Sequence, residues 1–113
     1  MSPGTIDGFP PGFSARRAKQ ILFDQIRPQV RRFAHMMEQK FRLHDEERGN
    51  PYKNASLDFL LTRLREEHRE LLRCVHENKS LSEWERESAD VGNCLSMIVE
   101  WKRNSYKKGW GKP

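Results

Sequence analysis

Apolar residues return along most of this chain with the 3.6-residue period of helices. Val30, Phe33, Met37 and Phe41 follow Pro28, which suits a first helical turn, and they predict a helix ending near Asp45. Ser56 can cap a second long helix, whose stripe is Leu57, Leu60, Leu61, Leu64, Leu71, Leu72 and Val75. Ser82-Glu-Trp-Glu85 fits a capping box and opens a last helix with the stripe Trp84, Val91, Cys94, Leu95, Ile98 and Trp101. A shorter helix from Ala15 to about Ile26, capped by Ser14, raises the expected number to about four. No segment alternates apolar and polar positions with period two over a useful length. The fold class read from this pattern is all-α.

Gly, Pro and Asn mark what lies between and beyond the stripes. Residues 1–13 hold three prolines and three glycines and read as a flexible leader. Residues 14–105 form the helical domain, and residues 106–113 read as a basic tail. Glu47–Ala55 is a loop by its Gly, Asn and Pro content. The connection through Asn78-Lys-Ser-Leu81 is short, so the helices on either side form an antiparallel hairpin.

Acidic residues interrupt the stripes of that hairpin. Glu66, Glu67 and Glu70 stand where the run from Leu64 to Leu71 would continue, and Glu87 and Asp90 stand between Trp84 and Val91. Residues three apart share a helix face, which makes Glu67/Glu70 and Glu87/Asp90 two same-face pairs. Folding about position 80 sets Glu70 level with Asp90 and Glu67 opposite Asn93, with Glu87 about one turn nearer the loop. Four carboxylates then converge on one small volume. Such groups repel one another and are costly to bury without compensation. A hard divalent cation supplies it, because Mg²⁺ takes oxygen ligands and fills its octahedron with waters and substrate phosphates. One E-x-x-E alone is an ordinary solvated face; two level pairs on adjacent helices are harder to read that way. Zinc is not expected, because His68 and His76 are two turns apart and Cys74 and His76 lack helical spacing.

Composition adds limits. A chain of 113 residues allows one domain, and 35% hydrophobic residues against 33% charged is a thin supply for a monomeric core. Association into an oligomer is therefore expected. The longest apolar runs, such as Phe59-Leu60-Leu61, fall far short of the roughly 18 residues of a membrane span, and residues 1–13 carry no apolar signal core. Two cysteines, Cys74 and Cys94, make no disulfide framework, which fits a reducing, cytoplasmic setting. The balance of 21 Lys+Arg against 16 Asp+Glu, a net +5, favours an anionic partner.

The segments Leu64-Arg-Glu-Glu-His-Arg-Glu-Leu-Leu72 and Glu87-Ser-Ala-Asp-Val-Gly-Asn93, with sixteen residues between Glu70 and Glu87, carry a resemblance. Together they are similar to the E-E-x-x-E…E-x-x-D signature of the MazG-like all-α nucleoside triphosphate pyrophosphohydrolases. The resemblance covers about Phe33 to Trp101. Its specificity lies in the two halves as a pair, since either alone is weak. Ser88 replaces a common alanine, His68 and Arg69 fill variable positions, and residues 1–13 correspond to nothing in the pattern. The short single-domain length resembles phage and bacterial members, including the phage enzymes that remove dGTP in 2-aminoadenine genome pathways. What the resemblance implies is a MazG-like bundle of about four helices, a homodimer or homotetramer. It would hydrolyse a (deoxy)nucleoside triphosphate, a purine such as dGTP included, to the monophosphate and pyrophosphate. By motif position, Glu67, Glu70, Glu87 and Asp90 would ligate Mg²⁺, with Mn²⁺ as substitute, and Glu66 would orient or deprotonate the attacking water.

Other side chains are open to two readings. Asn93 either bonds a metal-bound water or the sugar, or it packs. Lys40, Arg48 and Lys53 can meet phosphates or remain solvated, and the bases Lys102, Arg103, Lys107 and Lys108 can close over a triphosphate. Trp84, Trp101 and Phe41, at helical spacing, read as core before base-stacking residues. The rival function is a small basic helical module that binds nucleic acid without catalysis, supported by Arg16-Arg17, Arg31-Arg32 and Lys107-Lys108. Against it stand the lack of a helix-turn-helix and converging carboxylates that would repel phosphate. A structural bundle subunit is the third class. The thin apolar supply predicts that light scattering finds a dimer or larger species and no stable monomer.

Overall fold

A computed structural model of the chain describes residues 21–49 and 54–107, the side chain of Lys107 excepted. The expected leader, the Ser14 cap, Lys53 and the tail from Lys108 lie outside the described residues. Within them are three α-helices and no strand: α1 (Pro28–Arg48), α2 (Leu57–His76) and α3 (Leu81–Lys107). The all-α class expected from periodicity is what the chain adopts. No described helix is long and apolar enough to cross a membrane.

The chain divides into two compact units, Met1–Arg31 and Arg32–Pro113. In the first, residues 21–26 do not continue the helix expected to reach Ile26. A 3-10 turn at Phe23–Gln25 stands between extended residues Leu22 and Ile26, closed by Leu22 N–H donating to Gln25 Oε1 at 2.9 Å. Pro28 disfavours helical geometry at the residue before it, which keeps this turn separate from α1.

In the second unit α1 runs to Arg48, past the expected end, and Gly49 terminates it at φ +65°. Ser56 caps α2 as expected, its Oγ accepting from Phe59 N–H at 3.1 Å. The C-terminus of α2 closes in a Schellman arrangement. Lys79 N–H donates to Cys74 O at 3.0 Å and Asn78 N–H to Val75 O at 3.1 Å, with Asn78 left-handed at φ 49°. That reversal is complete two residues before Ser80, so Ser80 rather than Ser82 caps α3. Ser80 Oγ accepts from Glu83 N–H at 3.3 Å and donates to Glu83 Oε1 at 3.4 Å.

This tight turn corrects the hairpin register. Its centre falls between Asn78 and Lys79, not at position 80, and the partner of Glu67 moves by about one turn. Glu70 comes within 4.8 Å of Glu87, Glu83 acts on Cys74, and Asp90 faces Glu67 as well as Glu70, where Glu67 was expected opposite Asn93.

The hairpin of α2 and α3 encloses a small core: Leu60, Cys74, Ala89 and Cys94 are buried, and so are Glu67, Asn93 and Ser105. Both cysteines are free thiols. Leu72, Val75 and Leu95, expected inside, are 40–50% exposed, and Trp84 is 36% exposed. Their stripes are wider than the arc one neighbouring helix covers. From Arg32 onward, α1 rests on α3 across Gly92, where an added Cβ would stand 2.9 Å from Phe33 Cε1 and 3.1 Å from Met37 Sδ. Asn93 Nδ2 donates to the Met37 carbonyl at 3.1 Å beside this contact. Gly92→Val should destabilise the chain by about 1–3 kcal/mol in urea unfolding, since overpacking of two side chains outweighs a small gain in helix propensity.

Candidate metal centre

The caps at both ends of the α2–α3 turn bring the acidic stretches face to face. One carboxylate oxygen each from Glu67, Glu70 and Glu87 lies within 4.8 Å of the other two. Glu67 is the buried member at 4% exposure, Glu87 is half-buried and Glu70 is open to solvent. One oxygen of Glu67 is occupied, since Oε1 accepts a charge-assisted hydrogen bond from Arg63 Nη2. Its other oxygen, Oε2, is buried and meets no donor. Glu87 Oε2 and Asn93 Oδ1 share that condition. Asp90 Oδ1 has Lys40 Nζ at 3.5 Å, an ion pair between largely buried groups, and no hydrogen bond. Three of these acceptors, on Glu67, Glu87 and Asn93, have no donor, while Asp90 Oδ1 has the Lys40 ammonium beside it. A cation, or waters ordered by one, would satisfy the unmatched glutamate oxygens.

The charges respond to this crowding. Burial, then the Asp90 charge and the Glu70 carboxyl, push Glu67 up to about 7, with Arg63 opposing. Burial followed by Glu70 and Asp90 raises Glu87 above the usual carboxylate range. Asp90 is raised as well, chiefly by burial, although Lys40 and His44 pull the other way. Burial is the leading cause at all three carboxyls, and the neighbouring acids add to it at each.

The chain matches no family model, no curated protein and no solved structure.

The other expected residues fall in different places. Glu66 is exposed outside the three-carboxylate cluster, with Arg63 Nη1 donating to its Oε2 at 2.9 Å. Arg63 thus ties Glu66 to Glu67. Asn93 bonds the α1 backbone through Nδ2, which is the packing role, while its Oδ1 remains unmatched. Lys40 pairs with Asp90, which is not one of the three carboxylates whose oxygens converge. Arg48 sits exposed in the last turn of α1, close enough to influence His44. Lys53 and the Lys107 side chain are outside the described residues.

Two contributors were not anticipated. Arg63 stands three and four residues before Glu66 and Glu67, a helical ion-pair spacing that reading only the acids overlooks. His44, four residues after Lys40, shares its face and senses Asp90; burial holds its pKa below the ordinary value.

Glu67 binds a proton more readily in the folded chain, at about 7, than unfolded near 4.5. Its contribution to stability is therefore complete below the unfolded value and is lost as pH rises through about 7. In chelator, the melting midpoint should fall between pH 5 and pH 7.5, and Glu67→Gln, which cannot ionise, should flatten that fall.

Proposed function

We propose that the chain is a MazG-like nucleoside triphosphate pyrophosphohydrolase, a metal-dependent hydrolase of nucleotide metabolism. The observation that carries this reading is the convergence of Glu67, Glu70 and Glu87 oxygens within 4.8 Å, two of those residues having a buried oxygen with no donor. Mg²⁺ is the ion such an all-oxygen set suits, with Mn²⁺ as substitute. When bound it would neutralise phosphate oxygens and lower the pKa of a bound water.

The chain's own residues then have distinct tasks. Glu67, Glu70 and Glu87 hold the ion, and Asp90 completes the set from the α1 side, where Lys40 steadies it. Glu66 orients the attacking water, held beside the ligand Glu67 by their shared Arg63. Lys40 also offers an ammonium to a substrate phosphate. Nothing here requires a covalent nucleophile. The substrate class is a (deoxy)nucleoside triphosphate, a purine such as dGTP among them, cleaved to monophosphate and pyrophosphate.

Self-association and a bundle of about four helices belong to the same reading. Exposed Leu81, Trp84, Leu95 and Val99 on α3, with Phe59 and Leu72 on α2, support a homodimer or homotetramer that covers them. The free thiols fit the cytoplasm of a bacterium or phage-infected cell.

Pyrophosphate release from a nucleotide panel with added Mg²⁺ tests this. Glu67→Gln and Asp90→Asn should each lose at least about a hundredfold in rate while keeping the helical circular dichroism. Full activity in those variants would exclude the site. Salt-sensitive duplex binding without turnover would favour the nucleic-acid module instead.

A further inference from the structure

Between the carboxylate cluster and the α2–α3 turn opens a polar cleft of about 370 Å³, lined by Glu70, Arg73, Glu77, Lys79, Glu83 and Glu87. Its inner end is the metal centre itself, through Glu70 and Glu87. Arg73 stands one turn after Glu70 on α2, so both side chains leave the same helix face. No carboxylate of the described residues holds the Arg73 guanidinium in an ion pair. Lys79, on the turn, has only Glu77 at 3.8 Å, and both of those side chains are about half exposed, which makes a weak tie. By contrast, Arg63 is engaged by Glu66 and Glu67, and Lys40 by Asp90. The cleft offers little apolar surface on which a nucleobase could rest, while four carboxylates and two cations line it.

We propose that this cleft receives the terminal phosphates of the substrate, the part released as pyrophosphate, and that Arg73 and Lys79 bind their oxygens. The inference rests on the metal-dependent reading of the adjoining carboxylates. Four acids outnumber two bases, so the empty cleft repels a phosphate. A divalent ion on Glu70 and Glu87 cancels their charge and offers its open positions to phosphate oxygens at the inner end, and the two bases then hold the outer oxygens by charge-assisted hydrogen bonds. Binding of the phosphate chain is thereby made conditional on the metal. A guanidinium one turn beyond a ligand presents a fork of donors suited to a phosphate, and the turn ammonium can follow its movement.

Inorganic pyrophosphate titrated calorimetrically into the full chain is the test, with Mg²⁺-induced thermal shift measured on the same samples. The wild-type chain should bind pyrophosphate with Mg²⁺ and not in chelator. Arg73→Gln and Lys79→Gln should each weaken that binding about tenfold while keeping the Mg²⁺ shift. Arg73→Lys should recover part of the loss, and Arg65→Gln, an exposed base on α2 outside the cleft, should change nothing. An unchanged affinity in both cleft variants, with the Mg²⁺ shift intact, overturns this inference and leaves the metal reading standing. Absence of any Mg²⁺ shift in the wild-type chain overturns the metal reading, and this inference with it.

Discussion

Mutual repulsion among carboxylates in the α2–α3 seam is the constraint around which this chain is arranged. Two full charges 4.8 Å apart would repel by about 3 kcal/mol at an effective dielectric near 20, and by less where solvent screens Glu70. Glu67, Glu70 and Glu87 contain three such pairs, and Asp90 adds to the field. The buried apolar side chains opposing that repulsion are few, namely Leu60, Cys74, Ala89 and Cys94 among the described residues. The chain answers in two ways. It places a base against each flank, Arg63 on Glu67 and Lys40 on Asp90, and burial with the neighbouring acids raises the proton affinity of both carboxyls. The buried oxygens Oε2 of Glu67 and Glu87 still lack a partner, and a cation would coordinate them.

Holding repelling groups together requires strong local fastening, and the hairpin has it at both sides of its turn. The Schellman closure at Asn78 and the Ser80 cap satisfy the terminal backbone groups within four residues. They also set the register that puts Glu70 against Glu87. The third wall comes from α1, whose approach depends on the missing side chain at Gly92 and on the Asn93 bond to Met37 O. Without that approach Lys40 and His44 would not face Asp90. Packing and electrostatics are thus joined at one turn of α3, residues 89–93, where every inward position serves the seam or its neighbour.

Much of this was legible along the chain. The period of the apolar stripes identified α1, α2 and α3, and the Ser56 cap was placed correctly, because caps and amphipathic faces are local properties of a few consecutive residues. Glu67, Glu70, Glu87 and Asp90 stood out because they occupy stripe positions. The turn was less readable. Two overlapping S-x-x-E patterns, Ser80–Glu83 and Ser82–Glu85, compete for the cap, and only the left-handed Asn78 decides between them. A shift of under two residues in the turn centre moves the partner of Glu67 by about one helical turn, from Asn93 to Asp90. The helix expected up to Ile26 is replaced over its described residues by the short 3-10 turn Phe23–Gln25.

The chain's order of residues by itself determined an all-helical hairpin with acids on its inner faces, since helical period and same-face spacing need no knowledge of anything distant. Tertiary structure alone decided which acids meet, that Glu67 is buried while Glu66, tied to it through Arg63, is exposed, and that Asn93 holds α1. It also decided that Arg73 and Lys79 border the seam and that part of each apolar stripe stays uncovered. Those outcomes depend on the angle and level at which two helices cross. The closure of a four-residue turn sets that level, and the close contact permitted at Gly92 sets the approach of the third helix.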